Sequence, residues 1–245
     1  MRLLLVVFCW MFGLSTQERI GWRIVGGYNA FIEEYPFHAS LRIRGQHKCS
    51  GSIISSRSIL TAAHCIYNKS PKEVTVVTGS SYLDRGGVLY QVRKIKIHEY
   101  FNISTIHNDI ALLILNRSIV FNSETIPIRL NPFYIGPDVN CELCGFGISD
   151  FPNGNITNEL QVVGLATISY ELCKQLLDPS PIYPSQLCTL SKKGLGTCKG
   201  DSGSPLISYG IQIGIVSWGR SCALGYPDVF TRISSYIDWI VFNVA

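Results

Sequence analysis

The sequence predicts an all-β protein, and three observations carry that prediction. Short runs rich in Val, Ile, Thr and aromatic residues recur along the chain with turn-forming residues between them, the rhythm of a sandwich or barrel. Helical periodicity is confined to the C-terminal stretch. Nine cysteines and 22 glycines, without low-complexity tracts or a repeat period, describe one or two compact, cysteine-stapled units rather than a fibre or solenoid.

In chain order the strand-like runs are Phe37 to Ile43, Ser52 to Ser55, Val74 to Thr78, Val88 to Ile97 and Ala111 to Leu115. Leu160 to Thr167, Pro205 to Ser208 and Ile211 to Trp218 follow. Ser234 or Ser235 is placed to cap a C-terminal helix whose Ile237, Ile240 and Val241 share one face. The proline-containing stretch 122–136 is the candidate connector between two halves. One β domain and two small barrels both suit a mature body of about 220 residues; composition does not choose between them.

Apolar residues make up 47% of the chain and charged residues 16%, so a sizeable core forms and disorder is excluded as the main state. The 21 Lys+Arg against 17 Asp+Glu give a formal net charge of +4, too small to suggest a nucleic-acid partner. Arg2 precedes an apolar run from Leu3 to Leu14 that ends at Ser15. That is the form of a signal peptide over residues 1–15, with Gly13-Leu14-Ser15 at the cleavage site. About 12 apolar residues fall short of the roughly 20 a membrane span needs. A secreted, extracellular protein is expected. Export favours disulfides over metal sites, and Cys9 departs with the signal, leaving eight cysteines. In such a protein Asn68-Lys69-Ser70, Asn102-Ile103-Ser104, Asn116-Arg117-Ser118 and Asn155-Ile156-Thr157 are glycosylation acceptors.

The chemistry-bearing segments are more specific. Gly200-Asp201-Ser202-Gly203-Ser204-Pro205 sets a serine in a glycine-flanked turn that can present a hydroxyl and backbone N–H groups together. A hydroxyl needs a base, and Thr61-Ala62-Ala63-His64-Cys65 offers a histidine among small residues. The base needs an orienting acid. Asn108-Asp109-Ile110-Ala111-Leu112-Leu113 sets a carboxylate at the mouth of an apolar strand, where burial demands a hydrogen-bond donor.

With Ile24-Val25-Gly26-Gly27, these phrases stand in the order of the chymotrypsin-type serine proteases, which the sequence resembles from Ile24 to Ala245. It resembles insect chymotrypsins in particular through Cys222-Ala223-Leu224-Gly225-Tyr226-Pro227-Asp228-Val229-Phe230-Thr231-Arg232. The resemblance implies two six-stranded antiparallel β-barrels with a C-terminal helix and an active site between the barrels. It implies His64 as general base, Asp109 as its orienter, Ser202 as nucleophile, and the N–H groups of Gly200 and Ser202 as the oxyanion hole. Cleavage after Arg23 by a trypsin-like protease would remove a propeptide of residues 16–23 and leave a protease domain over 24–245. The freed Ile24 amine would then pair with Asp201. The family's disulfides would join Cys49 to Cys65, Cys173 to Cys188 and Cys198 to Cys222. Cys141 and Cys144 remain unassigned; in an extended strand they lie about 10 Å apart, which favours free thiols over a local bridge.

The same resemblance puts Gly196 where trypsins carry a carboxylate at the base of the specificity pocket. Gly219 leaves the pocket open, and the backbone of Ser217, Trp218 and Gly219 would pair with substrate as an added strand. Asp228 stands where glycine is usual, while Lys199 and Arg220 occupy the rim. Phe, Tyr, Leu or Trp before the cut is the expected preference, with broad or partly basic specificity through Asp228 as the alternative. Ser204 replaces a common glycine. The 79–87 loop carries only Asp84 as an acid, too little for a calcium ion that wants six or more oxygens. No cofactor or metal is expected, and His38, His47, His98 and His107 read as surface or loop histidines. Polypeptide substrates, the activating protease and protein inhibitors are the expected partners of a monomer. A noncatalytic homologue acting as a binding protein is the competing class. A regulatory cascade protease is a third, disfavoured because no further domain precedes the short propeptide.

Overall fold

The computed structural model describes residues 27–148, 154–220 and 222–245. The signal, the propeptide and the Arg23–Ile24 junction lie outside them. The described chain opens with β1 (Tyr28–Asn29), then builds β2 (His38–Ile43), β3 (Gln46–Ile53), β4 (Ser58–Thr61), β5 (Val74–Thr78), β6 (Val88–Ile97) and β7 (Ala111–Leu115). Strands β2 to β7 close into an antiparallel barrel in the order β2-β3-β4-β7-β6-β5. Closure follows from the sequence, since Leu41, Ile53, Ile59, Leu60, Val76, Leu112 and Leu113 are all buried together. Each full burial of a side chain of this size contributes about 1.5–3 kcal/mol.

The second half comprises β8 (Arg129–Leu130), β9 (Asn140–Gly145), β10 (Gln161–Ile168), α1 (Tyr170–Leu177), β11 (Gln186–Thr189), β12 (Pro205–Ser208), β13 (Ile211–Gly219) and β14 (Asp228–Arg232). Six of these strands close a second ring, β9-β10-β11-β14-β13-β12, with β12 returning to β9. Strand β1 adds to β10, and β8 pairs in parallel with β13. The segment containing β8 stitches the halves together: Ile128 N–H donates to Ile53 O and Asn131 N–H to Gln212 O, at 2.9 and 3.0 Å. The chain closes with α2 (Ile237–Asn243), whose buried Ile240 packs into the first barrel's core with Ile233 and Tyr236.

Several elements differ from the sequence expectations. Helix α1 is not anticipated; Ser169 caps it by accepting from Leu172 N–H at 3.1 Å, but eight residues with two buried positions give only a faint period. Strand β3 begins six residues earlier than expected: Gln46 to Cys49 alternate exposed and buried, but the buried small residues Ser50 and Gly51 that follow carry no apolar strand signal. Strands β4, β9, β11 and β14 are also unanticipated, since each is a short piece buried on both faces or beside glycine and cysteine. Neither Ser234 nor Ser235 caps α2, which follows a 3-10 turn over Ile233–Ser235 with Tyr236 at the cap position. Val241 points to solvent rather than sharing the buried face of Ile240.

Cys49–Cys65, Cys173–Cys188 and Cys198–Cys222 are disulfide-bonded. The first closes a short loop around His64, worth about 3 kcal/mol in the chain-entropy account. Cys141 and Cys144 are free and buried on β9, in different cores: one beside Leu143 and Val163, the other beside Phe146 and Val162. Burial pushes the Cys141 thiol up to about 12, so it stays protonated and inert.

Candidate functional site

Asp109 precedes β7 and is almost fully buried, yet its carboxylate is well supplied with donors. It accepts from His64 N–H on Oδ1 at 2.8 Å, from His64 Nδ1 on Oδ2 at 2.8 Å, and from Ser217 Oγ on Oδ2 at 2.6 Å. His64 sits in the 3-10 turn Ala63–Cys65 that follows β4. With Nδ1 donating to the carboxylate, Nε2 is the ring nitrogen left to exchange a proton. Asp109 is also held through its backbone, because Thr231 Oγ1 on β14 donates to Asp109 O at 2.7 Å. Ser217 and Thr231 belong to the second barrel, so the carboxylate of the first is aimed from both.

Ser202 lies in a turn whose backbone is fully determined. Asp201 N–H donates to Cys198 O, Gly203 N–H to Val216 O, and Ser204 N–H to Asp201 O, at 3.1, 2.9 and 2.9 Å. Ser202 O accepts from Ser50 N–H on β3 at 2.8 Å, bringing the turn beside the Cys49–Cys65 bridge that flanks His64. The N–H groups of Gly200 and Ser202 take no acceptor among the described residues. Two glycines make this close approach sterically feasible. At Gly203 (φ +81°) a Cβ would come 2.3 Å from Ser50 O, and at Gly200 (φ +102°) 3.1 Å from Gly147 Cα. No hydrogen bond joins His64 Nε2 to the Ser202 hydroxyl in this structure; Cys65 Sγ lies 3.7 Å from Nε2.

Beneath the turn lies a buried polar layer that corrects one expectation. His38 and His47 are not surface or loop histidines: both are buried on strands, edge-on to the Phe146 ring. His47 bonds Ser40 Oγ through Nδ1 at 2.9 Å and Gly200 O through Nε2 at 3.1 Å, so it props the carbonyl of the turn that carries Ser202. Period-two alternation through Gln46–Cys49, with Gln46 and Lys48 exposed and His47 and Cys49 buried, carries this signal. Burial lowers His47 to about 4 and His38 to about 3. Asp201 is fully buried and accepts from Gly147 N–H at 2.8 Å and Cys198 N–H at 3.0 Å; burial still raises it to about 7.

A cavity of about 360 Å³ opens beside Ser202, lined among others by Lys199, Val216, Trp218, Gly219, Arg220 and Asp228. Asp228 Oδ2 accepts from Thr197 N–H at 2.9 Å and Oδ1 from Thr197 Oγ1 at 2.7 Å. Burial outweighs these donors and raises the carboxyl to about 6. Gly196 is buried at the carboxylate and Gly219 faces it from the opposite strand. Arg220 lines the mouth, but its guanidinium donates to Leu177 O at 2.7 Å and to Asp178 O, satisfying carbonyls at the end of α1. These carbonyls fix the guanidinium without neutralising it, so Arg220 and the exposed Lys199 both set positive charge at the mouth.

In the 79–87 loop, Ser80 Oγ bonds Tyr82 O and Arg85 O at 2.9 and 2.7 Å, and the Arg85 guanidinium stacks 3.6 Å over the Tyr82 ring. His98 is half-buried among Tyr100, Tyr236 and Trp239, and His107 stacks on Tyr183 at 3.9 Å.

The chain is similar to known proteins along most of its length. Over 223 residues the sequence is 40% identical to chymotrypsin-2 of Vespa crabro, covering 90% of this chain and 99% of that protein. It is 35% identical over 224 residues to trypsin delta of Drosophila melanogaster, covering 90% and 88%. With trypsin alpha of the same fly it shares 34% over 245 residues, covering 98% and 95%. The sequence profile named Trypsin matches residues 24–240, and with that span the chain belongs to the trypsin family of serine endopeptidases.

Proposed function

We propose that the protein is a secreted endopeptidase that cuts polypeptides through an acyl-enzyme formed on Ser202. The observation that carries this reading is the His64–Asp109 pair, fixed by donors from both barrels, one of which, Ser217, lines the same cavity as Ser202. The Ser202 hydroxyl attacks the scissile carbonyl as His64 Nε2 takes its proton, and the tetrahedral oxyanion accepts from the N–H groups of Gly200 and Ser202. Collapse breaks the C–N bond, with His64 returning the proton to the leaving amine. Water then repeats the sequence on the ester. Asp109 orients the ring through Nδ1 and stabilises the imidazolium.

In this reading residues 1–15 are removed as a signal, and cleavage after Arg23 releases the Ile24 amine to neutralise Asp201. The environment of Asp201 supports such a step, because among the described residues the buried carboxylate has two N–H donors and no cation beside it, and burial raises it to about 7. The pocket supports cleavage after Phe, Tyr, Leu or Trp: Gly196 bears no carboxylate and Thr197 already occupies both oxygens of Asp228. A second reading, broad or partly basic specificity, is favoured by the same Asp228, since a carboxylate about 4 Å from a ligand cation contributes about 4 kcal/mol before desolvation is subtracted.

Two measurements on the Ile24-started form test the proposal. A fluorophosphonate should label Ser202; a folded protein that stays unlabelled is a binding homologue, not an enzyme. Across a panel of tetrapeptide amides, Phe should exceed Lys and Arg in kcat/KM, and the reverse order establishes the basic reading.

A further inference from the structure

Three of the four glycosylation motifs stand around the cleft, and the fourth stands away from it. Asn68 is exposed, four residues after His64, in a left-handed conformation (φ +59°) that turns it off the end of the His64 loop. Its neighbour Tyr67 packs edge-on against Phe101 at 5.6 Å, so the Asn68 loop touches the loop that carries Asn102. Asn102 is exposed and bridges to His107, two residues before Asp109. Its Oδ1 accepts from Ser104 N–H and Thr105 N–H at 2.9 and 3.1 Å. That turn uses the oxygen alone, so a sugar on Nδ2 leaves it intact. Asn155 occupies the opposite side: the adjacent Ile156 bridges to Ile148 and reaches within 3.3 Å of where a Gly200 Cβ would sit. Ile148 N–H in turn donates to Lys199 O at 3.0 Å, at the pocket rim. Asn116 follows the far end of β7, where its carbonyl accepts from Arg57 at 2.9 Å. A strand rise of 3.3 Å per residue puts it roughly 20 Å from Asp109.

We propose that glycans at Asn68 and Asn102 on the histidine side, and at Asn155 on the oxyanion side, form a collar that admits flexible peptides and slows folded protein partners. The inference rests on the secreted-protease reading. Glycans are bulky, hydrated and anchored at single points, so they obstruct a rigid partner docking across the rim more than an extended peptide lying in the groove. The effect falls on association rate, because the collar contributes nothing to the contacts made once the partner is seated.

The test uses the full chain secreted from insect cells and activated at Arg23. Peptide mapping should find Asn68, Asn102 and Asn155 glycosylated; unmodified asparagine at these positions overturns the proposal whatever the enzyme's activity. A triple variant (Asn68→Gln, Asn102→Gln, Asn155→Gln) is compared with Asn116→Gln, using an Ala-Ala-Pro-Phe anilide and a Kunitz-type inhibitor. The triple variant should bind the inhibitor with an association rate raised roughly three- to tenfold, while anilide kcat/KM moves less than about twofold. An unchanged association rate, or an equal rise in Asn116→Gln, overturns the collar. If the triple variant is not secreted, endoglycosidase trimming of the folded wild-type enzyme gives the same comparison. An inactive enzyme with occupied sites counts against the protease reading alone, and inhibitor binding to it still reports on the collar.

Discussion

A Cβ placed on Gly196 would lie 2.8 Å from Asp228 Oδ2, so residues 196 and 228 compete for one space at the base of the pocket. The chain has its carboxylate on the 228 side, and Gly196 takes a backbone conformation (φ +145°) that side chains rarely adopt. A trypsin-like carboxylate cannot simply be added. Gly196→Asp alone should lower kcat/KM for Phe substrates by about a hundredfold, the cost of overpacking and like-charge contact at roughly 3 kcal/mol, without a compensating gain on Arg. Coupling it to Asp228→Gly removes the contact and the like-charge repulsion, though not the backbone strain at residue 196, and should recover part of the activity, now on Lys and Arg substrates. Steady-state kinetics of both variants decide the matter, and a single variant that gains Arg activity unaided refutes the shared-space account.

Asp228 should also make specificity depend on pH. Burial raises its carboxyl from 3.8 to about 6, so the pocket is largely neutral below that value and anionic above it. A cationic P1 side chain gains only from the anionic form. The ratio of Lys to Phe kcat/KM should therefore rise, roughly tenfold, between about pH 5 and about pH 7.5. Taking the ratio cancels whatever pH dependence both substrates share. In Asp228→Asn the ratio should stay flat; a slope that survives this change assigns the dependence to another group.

How far these features are readable in the sequence depends on the physics behind each. His64, Asp109 and Ser202 stand out because their surrounding small residues, apolar strand and glycines are unusual locally. The β-branched β5, the alternating start of β6 and the continuous apolar run of β7 have expected and observed limits that coincide. His47 and Thr231 are different. Their importance arises from closing the barrels, which brings His47 under Gly200 and Thr231 onto Asp109 O, and no local pattern encodes partners more than a hundred residues away. The same holds for Arg220, whose position at the pocket mouth is legible but whose engagement with the end of α1 requires a helix too short to announce itself.

The backbone before Asp109 carries a further positioning contact. Asn108 is left-handed (φ +54°), a conformation asparagine tolerates better than most residues. Its side chain accepts from Tyr236 Oη at 2.8 Å and donates to Tyr100 O at 2.8 Å. Tyr236→Phe removes one hydrogen bond, worth about 1 kcal/mol, and leaves the ring in the core. Looser aim of Asp109 should lower kcat by about three- to fivefold with KM nearly constant. Denaturant midpoints and steady-state kinetics on one amide substrate separate this from simple destabilisation, which would leave kcat of the folded fraction unchanged.

Asp201 makes the final prediction, about the stability of the uncleaved form. Its carboxyl is raised from 3.8 to about 7 by burial, against the donors Cys198 and Gly147. The unfolded chain therefore releases this proton at a pH where the folded chain retains it. Stability falls as pH rises from about 4 to about 7 and then levels off, by an amount on the order of 4 kcal/mol if the whole shift is realised. His38 and His47 act in the opposite sense over an overlapping window. Burial lowers both, so they add stability as pH climbs toward 6.5, and the raw curve mixes the two effects. Subtracting the curve of Asp201→Asn from that of the uncleaved protein isolates the carboxylate. The Arg23-cleaved form should lack most of this slope, because a cation beside Asp201 favours its ionised state. Chemical denaturation of the three proteins at a series of pH values supplies the measurement. Parallel curves for the cleaved and uncleaved forms would show that the Ile24 amine does not reach Asp201, and would leave activation to be explained by another contact.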